Sequence, residues 1–173
     1  MAIYALGDQV PSIHPEAYVH PDAVIIGSVT IGAESSVWPT AVIRGDDGHI
    51  VIGARTSIQD GTIIHTTPFT PTTVGDDCVI GHNVHLEGCT IEDGALVGSG
   101  SVVLHNAIVR TEALVGANAL VPNNMEVPSR AMALGVPAVI KEGRVDPESM
   151  IKLGAKAYTD RIPRYRDHLR RLD

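Results

Sequence analysis

Apolar, mostly β-branched residues recur along this chain at intervals of six positions, and we call them anchors. The first six anchors form an unbroken series: Ile13, Val19, Ile25, Ile31, Val37 and Ile43. After a short insertion, twelve more anchors follow with the same period, apart from a loop and a one-residue slip: Ile52, Ile58, Ile64, Val74, Ile80, Leu86, Ile91, Val97, Val103, Val109, Val115 and Val121. An amphipathic helix would instead place its apolar residues at spacings of three, four and seven.

A period of six favours short strands joined by tight turns, which is the sequence signature of a parallel β-helix. Three hexapeptides make one triangular coil, so the eighteen anchors predict six coils. A small residue usually stands four positions after each anchor, and we expect large anchors and small fourth residues to fill the interior alternately. The predicted fold class is therefore all-β, a parallel β-helix of hexapeptide repeats with a C-terminal α-helix.

The period is interrupted by one polar loop, Thr66–Thr73, and decays beyond Pro122. We therefore expect a β-helix domain over residues 1–140 and a helical segment packed on it over residues 141–173. The tripeptide Asp146-Pro147-Glu148 has the composition of a helix start.

A helix is predicted over Glu148–Asp160. We expect it to break near Pro163, because proline cannot donate the backbone hydrogen bond that a helix interior needs, and to resume through Arg170.

Composition excludes several classes of function. The formal net charge is −7, and no basic stripe is available to bind a nucleic acid. No apolar run is long enough to span a membrane and no signal peptide opens the chain, so we expect a cytoplasmic protein with neither nucleic-acid nor membrane partners. The stretch Arg161–Arg171 is basic, and we interpret it as an ordinary solvated helix end.

Metal-ligand chemistry is concentrated in IGHNVHLEGC, Ile80–Cys89, which contains His82, His85 and Glu87. Coil arithmetic stacks Glu87 with His65, one coil away. We therefore expect both side chains on one face of the prism.

Arg44 belongs to the same column as His65 and Glu87. His82 stacks instead with Asp60 on another face, with Gln59 beside them. Because one chain cannot bring the two groups together, the sequence predicts a homotrimer with a metal site where two subunits meet.

These residues, together with RGDD (Arg44–Asp47) and SIQDGTIIH (Ser57–His65), resemble the γ-class carbonic anhydrases of the hexapeptide-repeat superfamily. The resemblance covers essentially the whole chain. It implies a left-handed β-helix, a homotrimer, and zinc bound between subunits that hydrates carbon dioxide to bicarbonate. Iron or cobalt could take the place of zinc.

The resemblance also assigns residues. His65 and His82 match two zinc ligands, and Gln59 matches a glutamine that orders the solvent on the metal. Arg44, Asp46 and Asp60 match the site and its interface network, and Tyr158 matches a tyrosine at the mouth. We expect the metal ligands to be His65, His82 and Glu87, with catalytic roles for Gln59, Arg44, Asp47 and Tyr158.

Three positions depart from the family pattern. Glu87 stands where the family has its third ligand histidine, Ser57 replaces an asparagine, and the loop Thr66–Thr73 carries no acid. A carboxylate leaves a metal less positive than an imidazole does, so we expect weak or absent carbonic anhydrase activity. We expect Glu87 to prevail over His85 as ligand, because His85 would have to swing around a coil corner.

Two other functions remain open. Many hexapeptide proteins are acyltransferases or thioesterases, which need a histidine base near a coenzyme A groove, and His105 is the one weak candidate for that base. The other alternative is a trimeric scaffold whose metal site has decayed. Metal content and acyl-CoA turnover separate these alternatives.

Overall fold

The computed structural model describes residues 2–173, which wind into a left-handed β-helix of about seven coils followed by one helix. The strands are β1 (Ala2–Tyr4), β2 (Ser12–Ile13), β3 (Tyr18–Val19), β4 (Val24–Ile31), β5 (Ser36–Val37), β6 (Val42–Ile52), β7 (Ser57–Ile58), β8 (Ile63–His65), β9 (Thr72–Val74), β10 (Val79–Ile80), β11 (His85–Glu87), β12 (Thr90–Ile91), β13 (Leu96–Val97), β14 (Val102–Val103), β15 (Ile108–Val109), β16 (Leu114–Val115), β17 (Leu120–Val121), β18 (Glu126–Val127), β19 (Met132–Leu134) and β20 (Val139–Lys141). A π-helical turn, Glu148–Lys152, continues directly into helix α1, Leu153–His168.

Successive coils stack their strands in parallel on three faces of the prism. The site face carries β1, β8, β11, β14, β17 and the first halves of β4 and β6. The helix face carries β3, β5, β7, β10, β13, β16 and β19, and the third face carries β2, β9, β12, β15, β18 and the second halves of β4 and β6. Strand β20 is the exception, because it runs antiparallel to β19.

The anchors form the core. On the site face the inward column is 0% exposed throughout: Ile25, Ile43, Ile64, Leu86, Val103 and Val121. The small fourth residues are buried between these columns, and the polar ones are satisfied, since Thr62 Oγ1 donates to the Gly81 carbonyl at 2.8 Å. The predicted alternation of large and small interior residues is confirmed.

The outward positions differ between the faces. On the site face they form a largely apolar column, uncovered by any other element of residues 2–173: Val24, Val42, Ile63, His85, Val102 and Leu120. On the helix face α1 packs over β5 and β7, so even the outward Ser36 and Ser57 are buried.

The prediction of six coils was wrong by about one. The period of six continues past Val121 to Val127 and Ala133, both 0% exposed, in β18 and β19. The decay of the pattern beyond Pro122, with Pro128 and Pro137 after it, indicated that the repeat had ended. All three prolines lie outside the strands and therefore break no ladder. The division at residue 140 stays a prediction.

Asparagine and glycine recur at the corners because the turn needs a left-handed backbone there. At the corner between the helix face and the site face, Gly61, Asn83, Gly100 and Asn118 have φ of 70°, 56°, 70° and 56°. A Cβ on Gly61 would lie 2.2 Å from Asn83 Oδ1, so these corners are also tightly stacked.

The predicted break near Pro163 was also wrong, because Pro163 lies inside α1. Its neighbour Ile162 is 4% exposed and packs with Tyr18 and Trp38. Tyr165 meets the Trp38 ring at 4.8 Å between centroids. This packing on both sides of Pro163 holds the helix together despite a cost of about 3 kcal/mol for an interior proline.

The single tryptophan is the centre of this helix-docking cluster. Trp38 Nε1 donates to Ser36 Oγ at 2.9 Å and to Ser57 Oγ at 3.1 Å, so its polar atom is satisfied under the helix. Helix α1 is therefore fixed to the helix face by aromatic packing. Among residues 2–173, no helix has the length and apolarity needed to cross a membrane.

Candidate metal centre

The column predicted for Arg44, His65 and Glu87 is present. Strand pairing places Arg44 opposite His65 and His65 opposite Glu87 on successive coils. Glu87 Oε1 lies 2.9 Å from His65 Nδ1, and both side chains are largely buried. Two potential ligands of one metal therefore meet within a single chain.

The other ring nitrogen of His65 faces a second carboxylate. Nε2 lies 3.2 Å from Asp46 Oδ1, and Asp46 is also ion-paired with Arg44. Desolvation pushes the pKa of Asp46 upward, but hydrogen bonds from Arg44 and from the backbone, with the charge of Arg44, outweigh it and lower the pKa overall. Asp46, Asp47 and His65 also offer ligand atoms within 4.8 Å of one another.

Three imidazoles surround the carboxylate of Glu87. Besides His65, His85 Nε2 lies 3.4 Å from Oε2 and His105 Nε2 lies 3.9 Å from Oε1. The hydrogen bond with His65 lowers the pKa of Glu87 most, burial opposes it, and His85 and His105 add to the lowering. Glu87 is therefore held as an anion.

The expectation that His85 must swing around a corner was wrong. His85 and Glu87 lie on the same strand, β11, two residues apart, so both side chains leave the same side of the sheet. His85 is therefore already beside the carboxylate.

His105 was treated as a weak acyltransferase base and not as part of this site. Gly88 explains its position: its φ is 62°, and a Cβ there would lie 2.8 Å from His105 Cδ2 and 2.4 Å from Thr70 Oγ1. The coil that follows Glu87 is shortened by the one-residue slip in the period, which stacks His105 beside Gly88. The one-residue slip in the period is therefore the sequence signal that predicts His105 beside Glu87.

The polar loop is tied to the same corner. Thr72 Oγ1 donates to the His65 carbonyl at 2.5 Å and accepts from the Gly88 N–H at 2.8 Å. Thr66 Oγ1 donates to the Thr70 carbonyl at 2.8 Å. The loop between β8 and β9 thus holds the backbone on both sides of the His65–Glu87 pair.

The second group of predicted residues lies at the other edge of the site face. His82 and Asp60 follow β10 and β7 at the corner that leads into the site face, and His82 Nδ1 lies 2.9 Å from Asp60 Oδ2. Gln59 precedes Asp60 and is 5% exposed. His65 and Glu87 end their strands at the opposite edge. Within one chain the structure therefore brings His82 to Asp60 but not to His65.

Tyr158 is in close contact with neither the His65–Glu87 pair nor the His82–Asp60 pair. Its ring packs against Trp38 at 5.4 Å between centroids, and the Arg161 guanidinium lies 4.7 Å above it. Its predicted role at the mouth of the site stays a prediction, while its contact with the helix-docking cluster is plain.

A coiled stack of hexapeptide strands with histidines at its corners defines the class of protein. The family model "Bacterial transferase hexapeptide (six repeats)" matches residues 71–105. This chain is also 41% identical over 170 residues to the carnitine operon protein CaiE of Citrobacter koseri, covering 98% of this chain and 86% of that protein. The chain therefore belongs to the CaiE-like proteins of the hexapeptide-repeat superfamily, which confirms the superfamily predicted from the sequence.

A second CaiE protein and two solved structures are similar to this chain over nearly its whole length. The CaiE protein of Escherichia coli O157:H7 is 39% identical over 165 residues, covering 95% of this chain and 84% of that protein. A crystal structure of a candidate acetyltransferase from Bacillus cereus has 31% identity and a TM-score of 0.94, covering 97% of this chain and 98% of that chain. A hexapeptide transferase family protein from Anaplasma phagocytophilum has 30% identity and a TM-score of 0.89, covering 95% and 98%.

Proposed function

We propose that this protein is a homotrimer with a γ-class carbonic anhydrase-like zinc centre between subunits, which hydrates carbon dioxide weakly. The observation that carries the proposal is the contact of His65 with Glu87, 2.9 Å apart, on a chain whose His82 lies at the opposite edge of the same face. Two nitrogen ligands and one carboxylate form an accepted catalytic zinc set.

The chemistry of these donors fits a divalent metal. Asp60 contacts Nδ1 of His82, which leaves Nε2 of that ring for a metal, in the carboxylate–histidine arrangement common at zinc sites. Asp46 plays the equivalent part for His65: Nε2 donates to Asp46, and a metal beside Glu87 would replace the proton that Nδ1 otherwise shares with that carboxylate. The same donors suit iron or cobalt.

The uncovered column on the site face supports the trimer. Ile63, 47% exposed, stands among mostly apolar outward neighbours between the two half-sites. Helix α1 already covers the helix face. When site faces pack around a threefold axis, the His82 edge of one protomer meets the His65 edge of the next, a heterologous contact that closes into a ring.

A bound zinc would supply Lewis-acid activation of water near neutral pH. The chain's own residues orient and exclude solvent. Gln59, buried beside Asp60, orders a water on the His82 side, and Arg44 with Asp46 fixes the ring of His65. Asp47, exposed at the same edge, is the carboxylate that exchanges protons with solvent. The negative Glu87 makes the centre less electrophilic than three imidazoles would, which makes the activity weak.

Zinc content and carbon dioxide hydration, measured on the same trimer preparation, test the proposal. The wild type should hold ~one zinc per protomer. Glu87→His should keep the metal and raise the hydration rate at neutral pH, because it returns positive charge to the centre. His85→Ala is the matched control and should keep the metal. Metal loss in His85→Ala, or an unchanged rate in Glu87→His, would contradict the assignment of Glu87.

Acyl transfer from an acyl-CoA is the second candidate function. Two observations favour it: the transferase family names of the similar proteins, and a His105–Glu87 pair, 3.9 Å apart, that could act as a general base. Acetyl-CoA turnover that disappears in His105→Ala, with zinc content unchanged, would replace the first proposal. A protein without metal and without either activity would be a decayed scaffold.

A further inference from the structure

The basic stretch at the end of the chain contrasts with the rest of the molecule. Residues 161–171 contain five of the 13 Lys and Arg residues and only one of the 20 Asp and Glu residues, in a protein of net charge −7. The sequence alone suggested an ordinary solvated helix end. The structure arranges part of this stretch into a cleft.

This cleft, of about 330 Å³, is lined by Arg161, Arg164, Tyr165, His168 and Leu169. No acidic side chain lines it. Arg161, Arg164 and His168 are three and seven positions apart on α1, a spacing that puts them on one side of the helix. The cleft is therefore bordered by two guanidinium groups, an imidazole, an aromatic ring and one apolar side chain.

Arg161, Arg164 and His168 have no carboxylate partner in the part of the chain that the structure describes. None of the ion pairs within 4.0 Å that residues 2–173 form includes Arg161, Arg164 or His168. Arg161 is held over the ring of Tyr158 at 4.7 Å, so part of its rotamer entropy is already lost. The guanidinium donors of Arg161 and Arg164 therefore remain available to an anion.

A larger cavity, about 530 Å³, lies on the other side of the helix and behaves differently. Its cations are neutralised within the protein: Arg55 binds Asp77 at 2.7 Å, and Lys156 binds Asp160 at 2.7 Å. An anion entering there would have to displace these carboxylates. Size alone therefore does not identify the better anion site.

We propose that the cleft of Arg161, Arg164 and His168 binds the phosphate or diphosphate group of a small soluble ligand. Paired guanidinium groups favour phosphate oxygens because their planar donors bind two oxygens at once. The volume lies at the lower end of the range for small-molecule sites, so the cleft accommodates a phosphate together with a neighbouring part of the ligand. The site is separate from the candidate metal centre and does not depend on the proposed function.

Calorimetric titration of the full-length protein with pyrophosphate at low ionic strength tests this proposal. The double variant Arg161→Gln/Arg164→Gln should weaken binding by at least about tenfold, because each lost charge-assisted hydrogen bond contributes substantially. The matched control, Arg170→Gln/Arg171→Gln, removes the same formal charge from the same segment outside the cleft and should weaken binding by less than about threefold, the effect of screened long-range charge.

Circular dichroism and zinc content should stay at wild-type values in both variants. Equal weakening in the two double variants would overturn the proposal, because it would show a general charge effect. It would also be overturned by a wild type that fails to bind pyrophosphate at millimolar concentration. Binding to phosphatidylglycerol vesicles without binding to pyrophosphate would overturn it in favour of a membrane surface.

Discussion

Replacing Val74 by alanine tests whether the repeat keeps its phase across the polar loop. Val74 is the first anchor after Thr66–Thr73, and it is 1% exposed and pairs in register with Ile52. Val51 lies one position before Ile52 on the neighbouring coil, points outward, and is 42% exposed. The two valines share a face and a chemistry but differ in which side of the sheet they occupy.

The expected magnitude follows from the interior. Val74→Ala removes two methyl groups, about 1.6 kcal/mol of transfer free energy at ~0.8 kcal/mol each, and leaves a cavity between stacked coils. The total loss in the free energy of unfolding should be about 2–3 kcal/mol. With an unfolding entropy of about 2.1 cal/mol/K per residue, the melting temperature should fall by about 6–8 °C. Val51→Ala should change it by about 1 °C or less.

Differential scanning calorimetry at matched protein concentration measures both variants, since the proposed trimer would make the melting temperature depend on concentration. Similar losses in the two variants would refute the reasoning, because they would place both valines in the same environment. A negligible loss for Val74→Ala would mean that the strand after the loop has slipped by one residue and turned Val74 outward.

Three further outcomes are expected. His82→Ala should remove zinc, measured by atomic absorption, while the circular dichroism spectrum keeps its β signal. Ile63→Glu should turn the trimer into monomers by light scattering, whereas Ile108→Glu on the third face should not. Arg110 hydrogen-bonds Glu92 and lowers the pKa of that carboxyl below its usual 4.5. This stabilisation is present above pH 4.5 and lost as the pH falls through the lowered pKa, so urea midpoints should fall less steeply with acid in Arg110→Gln.

The coil architecture could be predicted because every sixth residue is an apolar anchor that lies in the core. Each anchor is both a local strand former and a core residue, so local and global preferences agree. The same arithmetic predicts the contact between Glu87 and His65 that the structure contains. The prediction ended the repeat too early because the prolines beyond Val121 indicated an exit from the coils, although Val127 keeps the spacing of six.

The continuity of α1 and the full composition of the candidate site depend on side-chain packing, which the spacing of anchors along the sequence does not report. Continuity of α1 through Pro163 follows from the contacts of Ile162 and Tyr165 with the helix-docking cluster, which are long-range in sequence. His105 joins the site through a shortened coil and the bare backbone of Gly88. The alternation of sides along β11 could have predicted the position of His85, but the corner was expected after His85 and lies before it.

The antiparallel strand β20 has a consequence for the solution behaviour of the protein. A stack of parallel strands with open ends would offer each end as a template for another molecule, and identical prisms could join into filaments. Here the chain turns back after Leu134: the Ala138 N–H donates to the Leu120 carbonyl at 2.7 Å and β20 pairs with β19. The reversal in strand direction and the charged Lys141 therefore close the β19 edge of the stack against pairing with another molecule.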